Sequence, residues 1–151
     1  MNKKGVTLIE LIVVMVIIGI GAVLFTPNIG GWMQSYRLRS ATRDIVSTMR
    51  TAQMKAVSTN LKYQVSFTST VSYVLQYQDT TAAQTWHDEG ATQTLPTGIS
   101  ISAIVGIAGN NAVFNPNSTS SSGSITLQNS KTQRQLTLTS SGRVTIKQPG
   151  G

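Results

Sequence analysis

Hydrophobic and polar positions divide the chain into three zones. From Leu11 to Phe25 there is no charged residue, and large apolar side chains dominate, interrupted by Gly19 and Gly21. As a helix, Leu8–Phe25 spans roughly 27 Å at about 1.5 Å per residue. That is close to the roughly 30 Å hydrocarbon core of a bilayer. From Ile29 the pattern turns amphipathic. Ile29, Met33, Tyr36 and then Ile45, Met49, Ala52 and Ala56 recur at three- and four-residue steps, while Arg39, Arg43 and Arg50 fall on another face. Pro27 lies between these zones, where proline removes a helix hydrogen bond and kinks or breaks the helix. One long, bent helix from about Thr7 to about Ser58 is predicted.

After Asn60 the period becomes two. Lys62–Phe67, Ser72–Tyr77, Ile99–Ile104, Gly123–Leu127, Gln135–Thr139 and Arg143–Lys147 read as strands. Thr68–Thr70, Pro96–Gly98, Gly109–Asn111, Ser118–Ser122 and Ser140–Gly142 read as breaks between them. The serine run 118–122 is expected to be a flexible loop. The short Ser140-Ser141-Gly142 turn predicts that the last two strands form an antiparallel hairpin. The fold class is therefore α+β: a long N-terminal helix, transmembrane and then amphipathic, packed on a mainly antiparallel β-sheet.

Composition narrows the chemistry. The chain has 151 residues, which suits one core plus an appended segment. It has no cysteine and one histidine, so disulfides, thiolate metal sites, cysteine nucleophiles and multi-histidine metal sites are excluded. His87-Asp88-Glu89 is the only cluster of titratable groups, on a presumed loop. Adjacent side chains seldom converge on one ion without further ligands, so no metal site is expected. There is no nucleophile elbow, P-loop or dinucleotide fingerprint. No catalytic residue and no cofactor are implied, and an enzyme is not expected.

Charge adds direction. Only 11% of residues are charged, and the net charge is +7. Lys3 and Lys4 precede the apolar run, which predicts a cytoplasmic N-terminus with the rest of the chain outside. A secretory signal peptide shares the basic start and apolar stretch. Glu10, however, sits within the apolar stretch, where a carboxylate costs on the order of 3 kcal/mol at mid-helix. An acid kept at that cost marks a functional site. The plainer alternative is that Glu10 snorkels to the headgroups from near the helix end.

Lys3-Lys4-Gly5-Val6-Thr7-Leu8-Ile9-Glu10-Leu11 resembles the leader and cleavage motif of type IV pilins and pseudopilins. The resemblance implies that a prepilin peptidase cuts after Gly5 and that the new amine, on Val6, is methylated. The family usually has phenylalanine where this chain has Val6. Glu10 matches the family's assembly residue, and the Gly19–Pro27 stretch matches one that loses helicity within filaments. The implied layout is a leader at 1–5, a transmembrane and filament-core helix at 6–30, an amphipathic half at 31–60 and a β-rich part at 61–151. Removal of two lysines with the leader would lower the net charge from +7 to +5. In a stack of parallel helices, Glu10 of an entering subunit can then face its neighbour's Val6 amine. Such a pair at about 4 Å is worth several kcal/mol at an intermediate effective dielectric.

A narrower resemblance follows from Tyr36–Ala41, from Thr51–Val57, and from the ordered run Val113–Asn117, Gly123–Leu127, Leu136–Leu138 and Ser141–Val144. These are similar to H-type pseudopilins of type II secretion and T-type minor fimbrial proteins, which share one family. Ala52-Gln53-Met54-Lys55-Ala56 keeps that family's alanines but has Gln53 in place of its arginine. The implied role is a minor pilin or pseudopilin of the bacterial inner membrane, with its C-terminal domain periplasmic. It would assemble into a pseudopilus or type IV pilus, a filament able to reach the cell surface. Implied partners are other pilin or pseudopilin subunits, the prepilin peptidase, inner-membrane lipid and secreted protein cargo. Two alternatives stay open: a DNA-binding minor pilin for DNA uptake, and a major structural pilin. DNA-binding T-type proteins carry a Gly-Arg-x-Arg signature, whereas Gly142-Arg143-Val144-Thr145 has threonine at its last place. Arg143 and Lys147, with Lys131 and Arg134, would then form a basic edge for phosphates; otherwise they are charges guarding an edge strand.

Overall fold

The structure, a computed structural model, describes residues 5–24 and 29–148, and the side chains of 23, 24 and 29–31 are not among those described. The chain divides into two compact units, 1–33 and 34–151. In the first, the apolar run forms helix α1, Leu8–Leu24. Helix α2, Ile29–Thr59, begins within the first unit and forms the helical layer of the second. The expected bend at Pro27 lies outside the described residues, as does Phe25.

Within the second unit, α2 buries Leu38, Ala41, Thr42, Ile45, Val46, Met49, Ala52 and Ala56. The spacing is the three-and-four step of an amphipathic helix. Among the described side chains the buried stripe begins at Leu38: Met33 and Tyr36, which the sequence pattern placed on it, are exposed. Three alanines on this stripe let the helix backbone lie close to the sheets. Thr42 is the one polar member, and its hydroxyl donates to the Leu38 carbonyl at 2.6 Å. Such back-bonding satisfies a buried hydroxyl without leaving the helix. The helix ends where Asn60 takes a left-handed conformation (φ 57°), a residue type that tolerates this at a C-terminus.

Two antiparallel sheets complete the unit. The first contains β1 (Tyr63–Ser69), β2 (Ser72–Gln78), β3 (Trp86–Asp88), β4 (Gln93–Thr94) and β6 (Asn111–Phe114), in order β3-β2-β1-β6 with β4 also on β2. The second contains β5 (Ser100–Val105), β7 (Gly123–Gln128), β8 (Gln133–Leu138) and β9 (Val144–Lys147), in order β5-β7-β8-β9. The β8–β9 hairpin pairs Leu138 with Val144 and Leu136 with Ile146, as the Ser-Ser-Gly turn predicted. Tyr63, Val65, Phe67 and Tyr73 from the first sheet meet Ile101, Ile125, Leu127, Leu136 and Leu138 from the second in one core with α2.

Three segments depart from the sequence expectation. His87-Asp88 lies on strand β3, not on a loop. Its pairing with β2 aligns Gln76 with Asp88 and Tyr77 with His87. The supposed break at Gly109–Asn111 starts β6, because positive φ at Gly109 and Asn110 turns the chain within two residues. The serine run 118–122 is not a floppy loop. Ser121 N–H donates to the Val113 carbonyl at 2.9 Å, and Ser120 N–H donates to the Ser140 carbonyl at 2.8 Å. Ser120 Oγ also donates to the Thr139 carbonyl at 2.8 Å. Small polar side chains here replace the missing ladder bonds and tie the first sheet to the β8–β9 turn.

Gly123 marks the tightest approach of backbone to backbone among the glycines. A Cβ there would collide with the Val105 carbonyl oxygen, would lie 2.9 Å from the Gly106 carbonyl carbon and would lie 2.7 Å from Ile107 Cγ1. Two of these three contacts are backbone and cannot swing away. Gly123→Ala should therefore cost about 1–3 kcal/mol, as overpacking does, read as a lower urea midpoint. A variant within about 0.5 kcal/mol of wild type, the usual range for a surface change, would show that this junction is loose.

Candidate functional site

The N-terminal motif occupies the start of α1. Gly5, Val6 and Thr7 precede the helix, and all are exposed. The Gly5–Val6 bond therefore sits in a non-helical, accessible segment. Thr7 caps the helix: its Oγ1 accepts from the Glu10 N–H at 3.3 Å, and its carbonyl accepts from the Glu10 and Leu11 N–H groups at 3.1 and 3.3 Å. Thr7-x-x-Glu10 has the spacing of a capping box, a signal the sequence reading passed over. It gives Glu10 a local role as an acid in the first turn, where the helix dipole favours negative charge. The Glu10 side chain has no ion-pair partner among the described residues, which exclude Lys3 and Lys4.

Helix α1 presents apolar side chains on every side. Leu8, Ile9 and each large apolar residue from Leu11 to Ile20 are between 47% and 79% exposed, so no face of the helix is covered. A Cβ at Gly19 or Gly21 would meet nothing within 4 Å, so packing inside this chain does not require either glycine. At 17 residues α1 reaches roughly 26 Å. Among the described residues, no helix is long and apolar enough to cross a membrane. The leader residues 1–4 and Pro27 lie outside the described residues.

The four basic residues read as one edge sit at different points of the β7–β8–β9 meander. Arg143 lies in the turn before β9, and its carbonyl accepts from the Thr139 N–H at 3.0 Å. Lys147 ends β9 opposite Gln135. Arg134 is opposite Leu127, on the core-facing side of β8, because neighbouring strand residues alternate faces. Lys131 sits in the β7–β8 turn, where its N–H donates to Asn129 Oδ1 at 2.8 Å. Four residues of strand separate Arg143 from Lys147, roughly 13 Å. Arg143 and Lys147 differ by an even count and fall on one face of the strand, whereas Arg134 falls on the other.

A different basic group is assembled. The β7–β8 turn docks on the start of the second unit's helix: Asn129 Nδ2 donates to the Gln34 carbonyl at 3.1 Å, and Ser130 Oγ donates to Gln34 Oε1 at 2.7 Å. This brings Arg134 beside Arg39, and the two line one small cleft with Ser35, Leu38, Thr132 and Gln148. Arg43 stands one turn beyond Arg39 on the same helix face. Burial lowers the affinity of the Arg134 guanidinium for its proton, and the charges of Arg39 and Arg43 lower it further.

Two ion pairs lie elsewhere. His87 Nε2 lies 3.0 Å from Asp79 Oδ2. Asp79 Oδ1 accepts from Thr81 Oγ1 at 2.7 Å and from the Thr85 N–H at 3.0 Å. The His87 contact, followed by these hydrogen bonds, holds the Asp79 carboxyl below its ordinary value. Lys55 pairs with Glu89, and that bond raises the Lys55 pKa. Asp79–His87 closes the β2–β3 connection, so the titratable cluster seen in the sequence serves local structure. No group of three or more metal-ligating side chains forms among the described residues.

An apolar N-terminal helix with a capped, acid-bearing start, joined in sequence to a helix packed on two antiparallel sheets, defines a pilin-like protein. The chain matches the prokaryotic N-terminal methylation motif over residues 1–26 and the type II transport protein GspH family over residues 41–142. It belongs to the GspH family. The fold is shared with the minor pseudopilin EpsH of the Vibrio cholerae type 2 secretion system, at 12% identity and TM-score 0.63, over 76% of this chain and 99% of that one. It is shared too with the type IV minor pilin FimU of Pseudomonas aeruginosa, at 14% identity and TM-score 0.60, over 80% of this chain and 98% of that one. No curated protein sequence matches the chain.

The Asp79 arrangement gives a pH prediction. Its carboxyl has a lowered folded value, so its stabilising contribution is complete above the unfolded value and is lost as pH falls through the folded one. The Thr85 amide proton shift should titrate with a midpoint below the ordinary aspartate value of 3.8. A midpoint at or above that value would mean that the His87 contact does not hold Asp79 in solution.

Proposed function

We propose that this chain is a minor pilin or pseudopilin subunit, processed between Gly5 and Val6 and methylated on Val6, that enters a filament through α1. The observation that carries this reading is the uncovered apolar circumference of α1 directly behind an accessible cleavage motif. A helix apolar on all sides is stable only in lipid or among other helices. Each large apolar side chain gains about 1.5–3 kcal/mol on full burial, so exchanging water for either environment stabilises the assembly by on the order of 20 kcal/mol. Before assembly, α1 and the residues after it anchor the chain in the inner membrane, N-terminus inward, and the second unit stands in the periplasm.

Glu10 supplies direction within the apolar environment. Its carboxylate in the first turn is placed to meet the Val6 amine of a neighbouring subunit, and either charge alone in lipid is costly. The same pairing fixes the axial offset between adjacent α1 helices. Gly19 and Pro27 allow the stretch between them to unwind as subunits pack. The prepilin peptidase and other pilin-type subunits are the partners this requires, and secreted protein cargo is contacted by the second unit.

Glu10→Gln separates assembly from capping, because glutamine suits the third helical position as well as glutamate does. The variant should be cleaved and membrane-inserted, keep the thermal midpoint of the second unit, and fail to appear in sheared filaments or in crosslinks to neighbouring subunits. Thr7→Ala should cost the helix about 1 kcal/mol and still be incorporated. Normal incorporation of Glu10→Gln would remove Glu10 from the assembly contact.

A further inference from the structure

Arg39, Arg43 and Arg134 come from α2 and β8, which are brought together by the docking of the Asn129–Thr132 turn on Gln34. Arg39 and Arg134 line a cleft of about 40 Å³, floored by Leu38. Arg134 is half-buried there, and Arg39 and Arg43 are exposed above it. Like charges gathered on one spot oppose folding unless something outside the chain neutralises them.

Among the described residues, no carboxylate side chain does so. The five carboxylate side chains are Glu10, Asp44, Asp79, Asp88 and Glu89. Asp79 is held by His87 and Glu89 by Lys55. Asp88 Oδ1 accepts from Gln76 Nε2 at 2.7 Å. Asp44 acts on Tyr73 of the first sheet, whose hydroxyl is pushed up by burial and further by that carboxylate. Glu10 belongs to α1. A second copy of this chain, also at +7, offers the cluster repulsion and little acid.

We propose that the cleft between Arg39 and Arg134, with Arg43 one helix turn beyond it, receives a carboxylate side chain from a different, acidic subunit of the filament. Guanidinium forks grip carboxylates with two parallel hydrogen bonds, and a cleft of this size suits a single protruding side chain. A duplex backbone would need an exposed basic track, whereas Arg134 is half-buried in the cleft and Lys147, opposite Gln135, lies on the other face of the strand pair. The filament setting of this partner rests on the function proposed above. The carboxylate specificity does not, and it is tested separately.

The test uses the full-length chain in detergent micelles, with arginine Nε–Hε resonances followed by NMR. The probes are a capped tetraglutamate peptide, inorganic phosphate and a short DNA duplex, each at the same ionic strength. The peptide should shift Arg39, Arg43 and Arg134 together and leave Arg143 in place. Arg134→Gln should weaken peptide binding by about tenfold, as loss of a charge-assisted fork does, while Arg143→Gln changes it by less than about twofold. Arg134→Gln should also leave the thermal midpoint unchanged or raised, since it relieves repulsion; a lowered midpoint would assign Arg134 to folding and overturn the proposal. Absence of peptide binding, equal weakening by Arg143→Gln, or tighter cluster binding by phosphate or the duplex than by the peptide would overturn it as well. Each of these readouts is independent of whether Glu10→Gln enters filaments.

Discussion

A helix whose side chains are apolar on every side cannot be satisfied by the chain that carries it. The proposed function follows from that unmet burial. The core of the second unit is built from residues of that unit, and the proposed function gives α1 to lipid and neighbouring helices. Thr7 caps the helix start, and in the proposed filament Glu10 supplies the charge that sets the offset between neighbours.

The second unit solves a different problem with few charges. Its α2 stripe alternates bulky Leu38, Ile45 and Met49 with Ala41, Ala52 and Ala56, so one helix face seats on two sheets at once. Serine, threonine and glutamine hydroxyls and amides do the joining that ion pairs do elsewhere. Gln64 Nε2 donates to Gln76 Oε1 at 2.6 Å, and Gln76 in turn donates to Asp88, so a polar ladder crosses β1, β2 and β3. Against this sparsely charged background, the three clustered arginines have no carboxylate partner among the described residues, which is what the proposed contact with an acidic subunit would supply.

Much of this was legible in the sequence because period and position carry it. The six strands with clean alternation are present, and the β8–β9 hairpin follows from Ser140-Ser141-Gly142. The apolar run and its leader motif are local signals that need no tertiary knowledge. Strands β3 and β4 were illegible because they are two or three residues long and exist only by pairing with β2. β6 was hidden behind Gly109-Asn110, whose turn chemistry masked the strand that begins at once after it. Strand alternation also divides the basic residues: Arg143 and Lys147 share one face, while Arg134 turns to the core-facing side of β8. Arg39 and Arg134 are far apart in sequence and meet only because Asn129 and Ser130 anchor on Gln34, which no periodicity reveals.

The central claim is that the chain is a processed, filament-entering subunit, and intact-mass spectrometry of the protein taken from its native membrane tests it most directly. The account predicts a mature chain that begins at Val6 and carries one added methyl group on its amine. A chain that retains Met1–Gly5, or that is cut within or beyond the apolar helix, would contradict it.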